Sequence, residues 1–440
     1  MALTGRAGLI ALVGVVLVLL APRPGLAFAL LVLVLVVLVA VDLALAGSVR
    51  LLRFQRLGDR AARLGETVEV TLLVENPGPR RVRGRLRDAW APSMRAVPRE
   101  HTLDVPAGER RRIVTTLRPL RRGDHRAATV TVRAVGPLGV AARQGGHQAP
   151  WTVRVLPPFL SRRHLPSRLA RLRELDGHNP VLVRGQGTEF DSLREYVAGD
   201  DVRSIDWRAT ARRSEVVVRT WRPERDRRVL IVLDTGRTSA GRVGVDPTSG
   251  DPAGWPRLDW SMDAALLLAA LAARAGDRVD FLAHDRAVRA WVSGTSRTEV
   301  LAALVNAMAP LEAELVEADA PGMVAAVLAQ ARRRCLVVLL TDLNPAALEE
   351  GLLPVLPQLA GRHQVLLAAV ADPRVAELAA RRDSAEQVYD AAAAERLRAD
   401  RHRITARLRR HGVEVVDALP EDAAPALADA YLALKAAGRL

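Results

Sequence analysis

The rhythm of hydrophobic and polar positions changes three times along this 440-residue chain, and each change predicts a different kind of element. The first 50 residues are almost wholly apolar. Ala7 to Ala21 and Leu26 to Val49 are two such runs, separated only by Pro22-Arg23-Pro24-Gly25. They predict a hairpin of two membrane helices, the first reaching about 22 Å at 1.5 Å per residue, short of a hydrocarbon core about 30 Å thick. A cleaved leader ending near Ala27-Phe28-Ala29 is the competing reading, and the second run would then remain as an anchor. Asp42, near the end of that run, is expected at the headgroup level.

From Glu66 to Val155 the pattern becomes short runs of period two: Thr67 to Val74, Arg111 to Leu117 and Ala128 to Arg133. Alternation with β-branched residues predicts strands, and Asn76-Pro77-Gly78-Pro79 and Pro106-Ala107-Gly108 are turn signals between them. A small β-sandwich-like domain follows. Ser161 to Arg173, rich in Arg and Leu, predicts a linker helix, solvated or lying on the membrane.

Beyond Arg227 the chain alternates buried-strand runs with long Ala/Leu-rich helical stretches, which predicts a doubly wound parallel α/β sheet. Expected strands are Arg228 to Leu233, Arg278 to Ala283, Arg286 to Val292, Cys335 to Leu340, Gln364 to Val370 and Val413 to Val416. The predicted organisation is multidomain: a transmembrane hairpin (1–50), a β-sandwich-like domain (51–157), a connector with a charged stretch (158–227) and an α/β domain (228–440).

Composition alters this picture in two places. Net charge is +15, and from Arg50 to Arg133 there are 20 arginines against nine acids. Arg50, Arg53, Arg56, Arg60 and Arg63 directly follow the second apolar run, whereas the hairpin loop has Arg23 alone. The positive-inside rule then puts the soluble domains in the cytoplasm, with the same arginines available to anionic lipid headgroups. A single cysteine, Cys335, excludes an intrachain disulfide and a structural zinc cluster. Lys435 is the only lysine, so no Walker-type phosphate loop exists, and no HExxH motif occurs.

The densest chemistry lies between Gly185 and Glu224. Four of the fifteen aromatics fall there (Phe190, Tyr196, Trp207, Trp221), among eight acids and seven arginines. Asp200, Asp201 and Asp206 are close enough to perturb one another, as acid–base groups would. Arg194, Arg203, Arg208 and Arg212 supply matching guanidinium forks, which favours a paired structural network over an active site. That charge balance also argues against nucleic acid, which needs an uncompensated basic surface. At the strand ends, Asp234, Asp342 and Asp372 sit where open α/β sheets bind ligands, or where they cap the following helices.

Two resemblances follow from these residues. The pattern GxGxEFxxxRxYxxGDDxRxIDWxxxAR, carried by Gly185, Gly187, Glu189, Phe190, Arg194, Tyr196, Gly199, Asp200, Asp201, Arg203, Ile205, Asp206, Trp207 and Arg212, resembles the family called domain of unknown function 58. Asp234-Thr235-Gly236-Arg237-Thr238 with Thr341-Asp342 resembles a von Willebrand factor A domain, whose Asp-x-Ser-x-Ser loop helps bind a metal ion. That likeness implies a degenerate Mg²⁺ site at Asp234, Thr238 and Asp342, with Gly236 in place of the first serine and Thr295 a candidate for the separate threonine. The first likeness implies a membrane protein that works with a MoxR-type AAA+ ATPase. The expected function is a non-enzymatic, membrane-anchored adaptor presenting the 185–212 stretch to that ATPase. The rival is a Mg²⁺-dependent adhesion module or enzyme.

Overall fold

The computed structural model describes residues 2–178, 189–197, 202–212, 215–222 and 227–440. The chain divides into two compact units, Met1–Pro158 and Phe159–Leu440.

The first unit begins with helices α1 (Gly5–Leu20) and α2 (Pro24–Leu45). Pro24 opens α2, at a position where its missing N–H costs no hydrogen bond. The segment Pro24–Leu51 has mean hydropathy 3.1 and is 6% buried; among the described residues it is the one helix long and apolar enough to cross a bilayer. α1 is shorter, at 16 residues, yet also turns large apolar side chains outward, Leu19 among them at 78% exposure. Such surfaces are unfavourable in water at roughly 25 cal/mol per Å², which associates this end of the chain with a membrane.

Asp42 is fully buried. Its carboxylate accepts the backbone N–H groups of Leu138 (2.8 Å), Val140 (2.7 Å) and Ala141 (2.7 Å). A Cβ at Gly136 would stand 2.1 Å from its Oδ1, so only glycine admits the carboxylate there. Thr4 N–H donates to Val140 O (3.0 Å), and Ala2–Leu3 adds to the strand Ala141–His147. The start of α1 and the end of α2 are thereby tied to one turn of the β structure.

The remainder of the unit is antiparallel for the most part. One sheet orders Ala2–Leu3, Ala141–His147, Val130–Val135, Val82–Asp88 and Glu100–Val105, and another orders Arg53–Gly58, Val68–Glu75 and Arg110–Leu117. Alternation sets the inward face: Val68, Val70, Leu72 and Val74 are buried while Glu69 is exposed. Leu72, Leu86, Leu103, Ile113 and Val132 join one core. Inside it Arg56 and Asp88 form a buried bidentate pair (2.9 and 2.6 Å).

In the second unit helix α3 (Leu165–His178) is not a free linker but packs by one face, with most of its described side chains exposed. Leu172 is buried, Arg168 pairs with Asp429 (2.9 Å), and Ser161 N–H donates to Asp263 (3.1 Å). Then come a hairpin of β1 (Glu189–Glu195) and β2 (Val217–Arg222) with the short helix α4 (Trp207–Thr210) between them. The main sheet has β3 (Arg228–Asp234), β4 (Arg278–His284), β5 (Val288–Val292), β6 (Leu336–Leu340), β7 (Gln364–Val370) and β8 (Glu414–Ala418), in the order β5-β4-β3-β6-β7-β8.

β4, β3, β6, β7 and β8 run parallel, and the edge strand β5 is antiparallel to β4. The all-parallel expectation fails at β5 because Asp285 to Ala287 is too short for a crossover and permits only a hairpin. The apolar runs of the central strands are buried, as continuous apolar runs between two helical layers require. The helices are α5 (Arg257–Arg274), α6 (Val300–Met308), α7 (Ala320–Gln330), α8 (Leu356–Ala360), α9 (Pro373–Ala380), α10 (Ala385–Arg410) and α11 (Pro420–Ala436).

Candidate functional site

Two places carry the predicted residues. In the β1/β2 hairpin, Glu189 lies opposite Arg222, Phe190 opposite Trp221 and Glu195 opposite Val217. Ile205 bridges to Val218, and Asp206 N–H donates to Val217 O (3.0 Å). The Asp206 carboxylate accepts the N–H groups of Arg208 and Ala209, both at 3.0 Å. It is therefore the N-cap of α4, a role worth about 1 kcal/mol. Val217 and Val218 are buried beneath this turn.

Above them apolar groups face water. Trp207 is 66% exposed and Val202 61%, with Val197, Val216 and Tyr196 also exposed. The Asp206 cap starts α4 at Trp207, whose indole is exposed. Arg194 donates to Glu195 O (3.0 Å), Arg212 is exposed, and the backbone of Arg203 lies in the turn 202–204. Gly185, Gly187, Gly199, Asp200 and Asp201 lie outside the described residues, so the pairing expected of those two aspartates does too.

The second place is the carboxyl end of the sheet. Asp234 Oδ1 accepts Gly236 N–H (2.7 Å), and Oδ2 accepts the hydroxyls of Thr238 (2.9 Å) and Thr341 (2.7 Å). The predicted Thr295 is not here. Because β5 runs antiparallel, the loop after it returns to the opposite end of the sheet, and Thr341 supplies the hydroxyl instead. Asp372 caps α9 through Arg374 N–H (3.1 Å), as the capping alternative expects.

Asp342 does not join Asp234. Its Oδ1 is held by Arg401 Nη1 (2.8 Å) and its Oδ2 faces Arg257 Nη1 (3.7 Å). Arg401 also grips Asp417 with two bonds (2.6 and 3.1 Å). Only 12% of the Arg401 side chain is exposed; burial works against its charge, but Asp417 and Asp342 outweigh that and hold its pKa above the usual value. Nearby Asp285 is pushed up by burial, yet donors from Arg289, Ala287, Arg286 and Thr235 outweigh it and keep it below the ordinary carboxylate range.

Mg²⁺ demands near-octahedral coordination by six oxygens at about 2.0–2.1 Å. Asp234, Thr238 and Thr341 offer three, Gly236 offers no side chain, and Asp342 is committed to two guanidiniums. Among the described residues no three of His, Cys, Asp and Glu gather as a metal site. This donor set does not fit a tightly held divalent cation. Arg257, Arg401 and Asp417 were not legible as site residues, since no local spacing connects them to Asp342.

The chain resembles curated proteins over part of its length. It is 28% identical over 207 residues to "Uncharacterized protein Rv1480" of Mycobacterium tuberculosis, covering 46% of this chain and 61% of the relative. It is 24% identical over 128 residues to "Uncharacterized protein YeaD" of Bacillus subtilis, covering 29% of this chain and 32% of that one. The chain thus spans about three-fifths of the length of the mycobacterial relative it matches. A solved structure, the CARDB domain of the PF1109 protein from Pyrococcus furiosus, aligns with 24% of this chain and 91% of that one at 18% identity. Its TM-score of 0.19 is too low to bear on the fold. A family model matches residues 192–414, from the charged hairpin through the sheet to the start of its last strand, and so the chain belongs to the family described as "Protein of unknown function DUF58".

Proposed function

We propose that this protein is a non-catalytic, membrane-anchored adaptor whose α/β unit docks a MoxR-type AAA+ ATPase through the β1/β2 hairpin. The supporting observation is the exposure of Trp207, Val202, Val197, Val216 and Tyr196 in and around this hairpin, where Asp206 caps α4. Exposed indoles with aliphatic neighbours are typical energetic anchors of protein interfaces, and no acid–base pair is assembled beside this one among the described residues. In this reading α1 and α2 form a two-pass hairpin in the plasma membrane, both soluble parts are cytoplasmic, and the arginines after α2 meet anionic lipid headgroups. Nucleic acid is not a partner.

The antiparallel edge of the sheet, together with Asp234, Thr238 and Thr341 at its carboxyl end, supports a von Willebrand factor A-like fold for the α/β unit. Its metal function is replaced here: Arg401 supplies at Asp342 the positive charge that a cation would bring. The rival Mg²⁺-dependent reading therefore loses one of its three ligands.

The test is co-purification of the full chain, in detergent micelles, with the MoxR-type ATPase of the same cell. Trp207→Ala should weaken capture by about 30-fold or more, as loss of an interface anchor does, without moving the unfolding temperature. Unchanged capture by a folded Trp207→Ala/Val202→Asp variant refutes the proposal.

A further inference from the structure

At the amino-terminal end of the same sheet the charge is positive and largely unmatched. Arg274, Arg297, Arg332, Arg333, Arg334 and Arg362 lie just outside the sheet's amino-terminal edge, and among the described residues none has a carboxylate at ion-pair distance. This contrasts with the carboxyl end, where Arg257, Arg289, Arg374 and Arg401 all face acids. A cleft of about 440 Å³ opens at this amino end, lined by Arg278, Arg297, Gly294, Thr295 and Ser296 and by the first residue of α6.

Three carboxylates lie in or beside the cleft, Asp277, Asp280 and Glu299, the last accepting the Ser296 hydroxyl (2.7 Å). The buried Asp280 is shared by Arg228, through a hydrogen bond, and by Arg278 at 3.7 Å. Arg228 and Arg278 thus share that carboxylate, while Arg297 has no acid at ion-pair distance among the described residues. Asp277 also lines the cleft, but Lys435 (3.1 Å) and the Tyr431 hydroxyl (2.5 Å) occupy its oxygens. Thr295 Oγ1 is buried with no hydrogen-bond partner, an omission that costs about 1–3 kcal/mol if left unfilled. Gly276 and Gly294, both at positive φ, leave room beside the two arginines: Arg297 Nη1 lies 3.8 Å from where a Cβ would stand on Gly276, and Arg278 Nη2 4.0 Å from that on Gly294.

We propose that this cleft binds a phosphate group, gripped by the Arg278 and Arg297 guanidiniums with Thr295 Oγ1 as a third donor. Guanidinium forks match phosphate oxygens, and the hydroxyl gains the acceptor it lacks. The cleft is larger than a bare phosphate, so the ligand carries an organic portion. A phosphorylated small molecule and a phospholipid headgroup share this chemistry. The site is separate from the hairpin and does not depend on the docking reading.

The full chain in phosphate-free detergent micelles is titrated calorimetrically with inorganic phosphate and, separately, with dihexanoyl phosphatidic acid. Saturable binding of at least one is expected, weakened about tenfold or more by Arg297→Gln and by Arg278→Gln and severalfold by Thr295→Val. Arg85→Gln, an exposed arginine of the other unit, should change nothing. Binding of both ligands assigns the site to free phosphate compounds, and binding of the lipid alone assigns it to a headgroup. Should Arg278→Gln unfold the protein by stranding Asp280, the exposed Arg297 carries the test. Absence of saturable binding by either ligand, or equal weakening by Arg85→Gln and Arg297→Gln, overturns the proposal, the latter because it reports only diffuse charge.

Discussion

Replacing Arg401 by Met tests whether a guanidinium holds the carboxyl end of the sheet together. The side chain is 12% exposed and makes three charge-assisted hydrogen bonds, one to Asp342 and two to Asp417. Asp342 is 9% exposed and Asp417 27%, so the loss at Asp417 is partly recovered by water while that at Asp342 is not. Breaking a fully buried pair costs about 3–5 kcal/mol; Arg257 still faces Asp342 at 3.7 Å and softens the loss. We expect about 2–3 kcal/mol, which in a unit of this size lowers the unfolding temperature by roughly 5–10 °C. Thermal unfolding of the full chain in detergent, followed by tryptophan fluorescence, measures it. Asp342→Asn in the Arg401→Met background should recover about half the loss, because the stranded charge is gone. A loss below about 0.5 kcal/mol, or no recovery in the double variant, would show that Arg401 is not the clamp.

Two further outcomes follow from buried carboxylates. Burial pushes Asp263 up to about 6 from an ordinary 3.8, against the donors from Ser161. Its folded value lies above the unfolded one, so its contribution is fully present below about pH 4 and is lost as pH rises through about 6, some 3 kcal/mol in all. Asp263→Asn keeps an acceptor for Ser161 and should flatten that pH dependence in a denaturant series, with the variant more stable than the parent at pH 7. Asp42→Ala strands two buried N–H groups, at Val140 and Ala141, each worth about 1–3 kcal/mol, and a part-buried one at Leu138 that water can reach. Hydrogen exchange at those amides should accelerate by at least 100-fold, and unchanged protection would show that Asp42 does not clasp the turn.

Elements repeated by a local period were legible in the sequence. The two apolar runs, the period-two strands around Val68 to Val74 and the strand runs at Arg228, Leu336 and Gln364 each follow from hydrophobic spacing within one segment. The hairpin was legible as a charged, aromatic stretch, although not Asp206 as its cap or Trp207 as its exposed tip. Even the antiparallel β5 was implicit in a connection of three residues.

What the sequence alone determined, then, was the order and kind of elements, because burying an apolar face demands a regular local pattern whatever it packs against. Only the tertiary structure decided which charged groups meet. Thr341 reaches Asp234 across 107 residues, Arg401 reaches Asp342 across 59, and Asp42 reaches the turn at Val140 across 98. A hydrogen bond needs only one donor and one acceptor brought within about 3 Å, so it leaves no periodic trace in the chain. Strand order and the direction of β5 brought Thr341 to the carboxyl end and sent Thr295 to the other, where the unpartnered hydroxyl now lines a basic cleft.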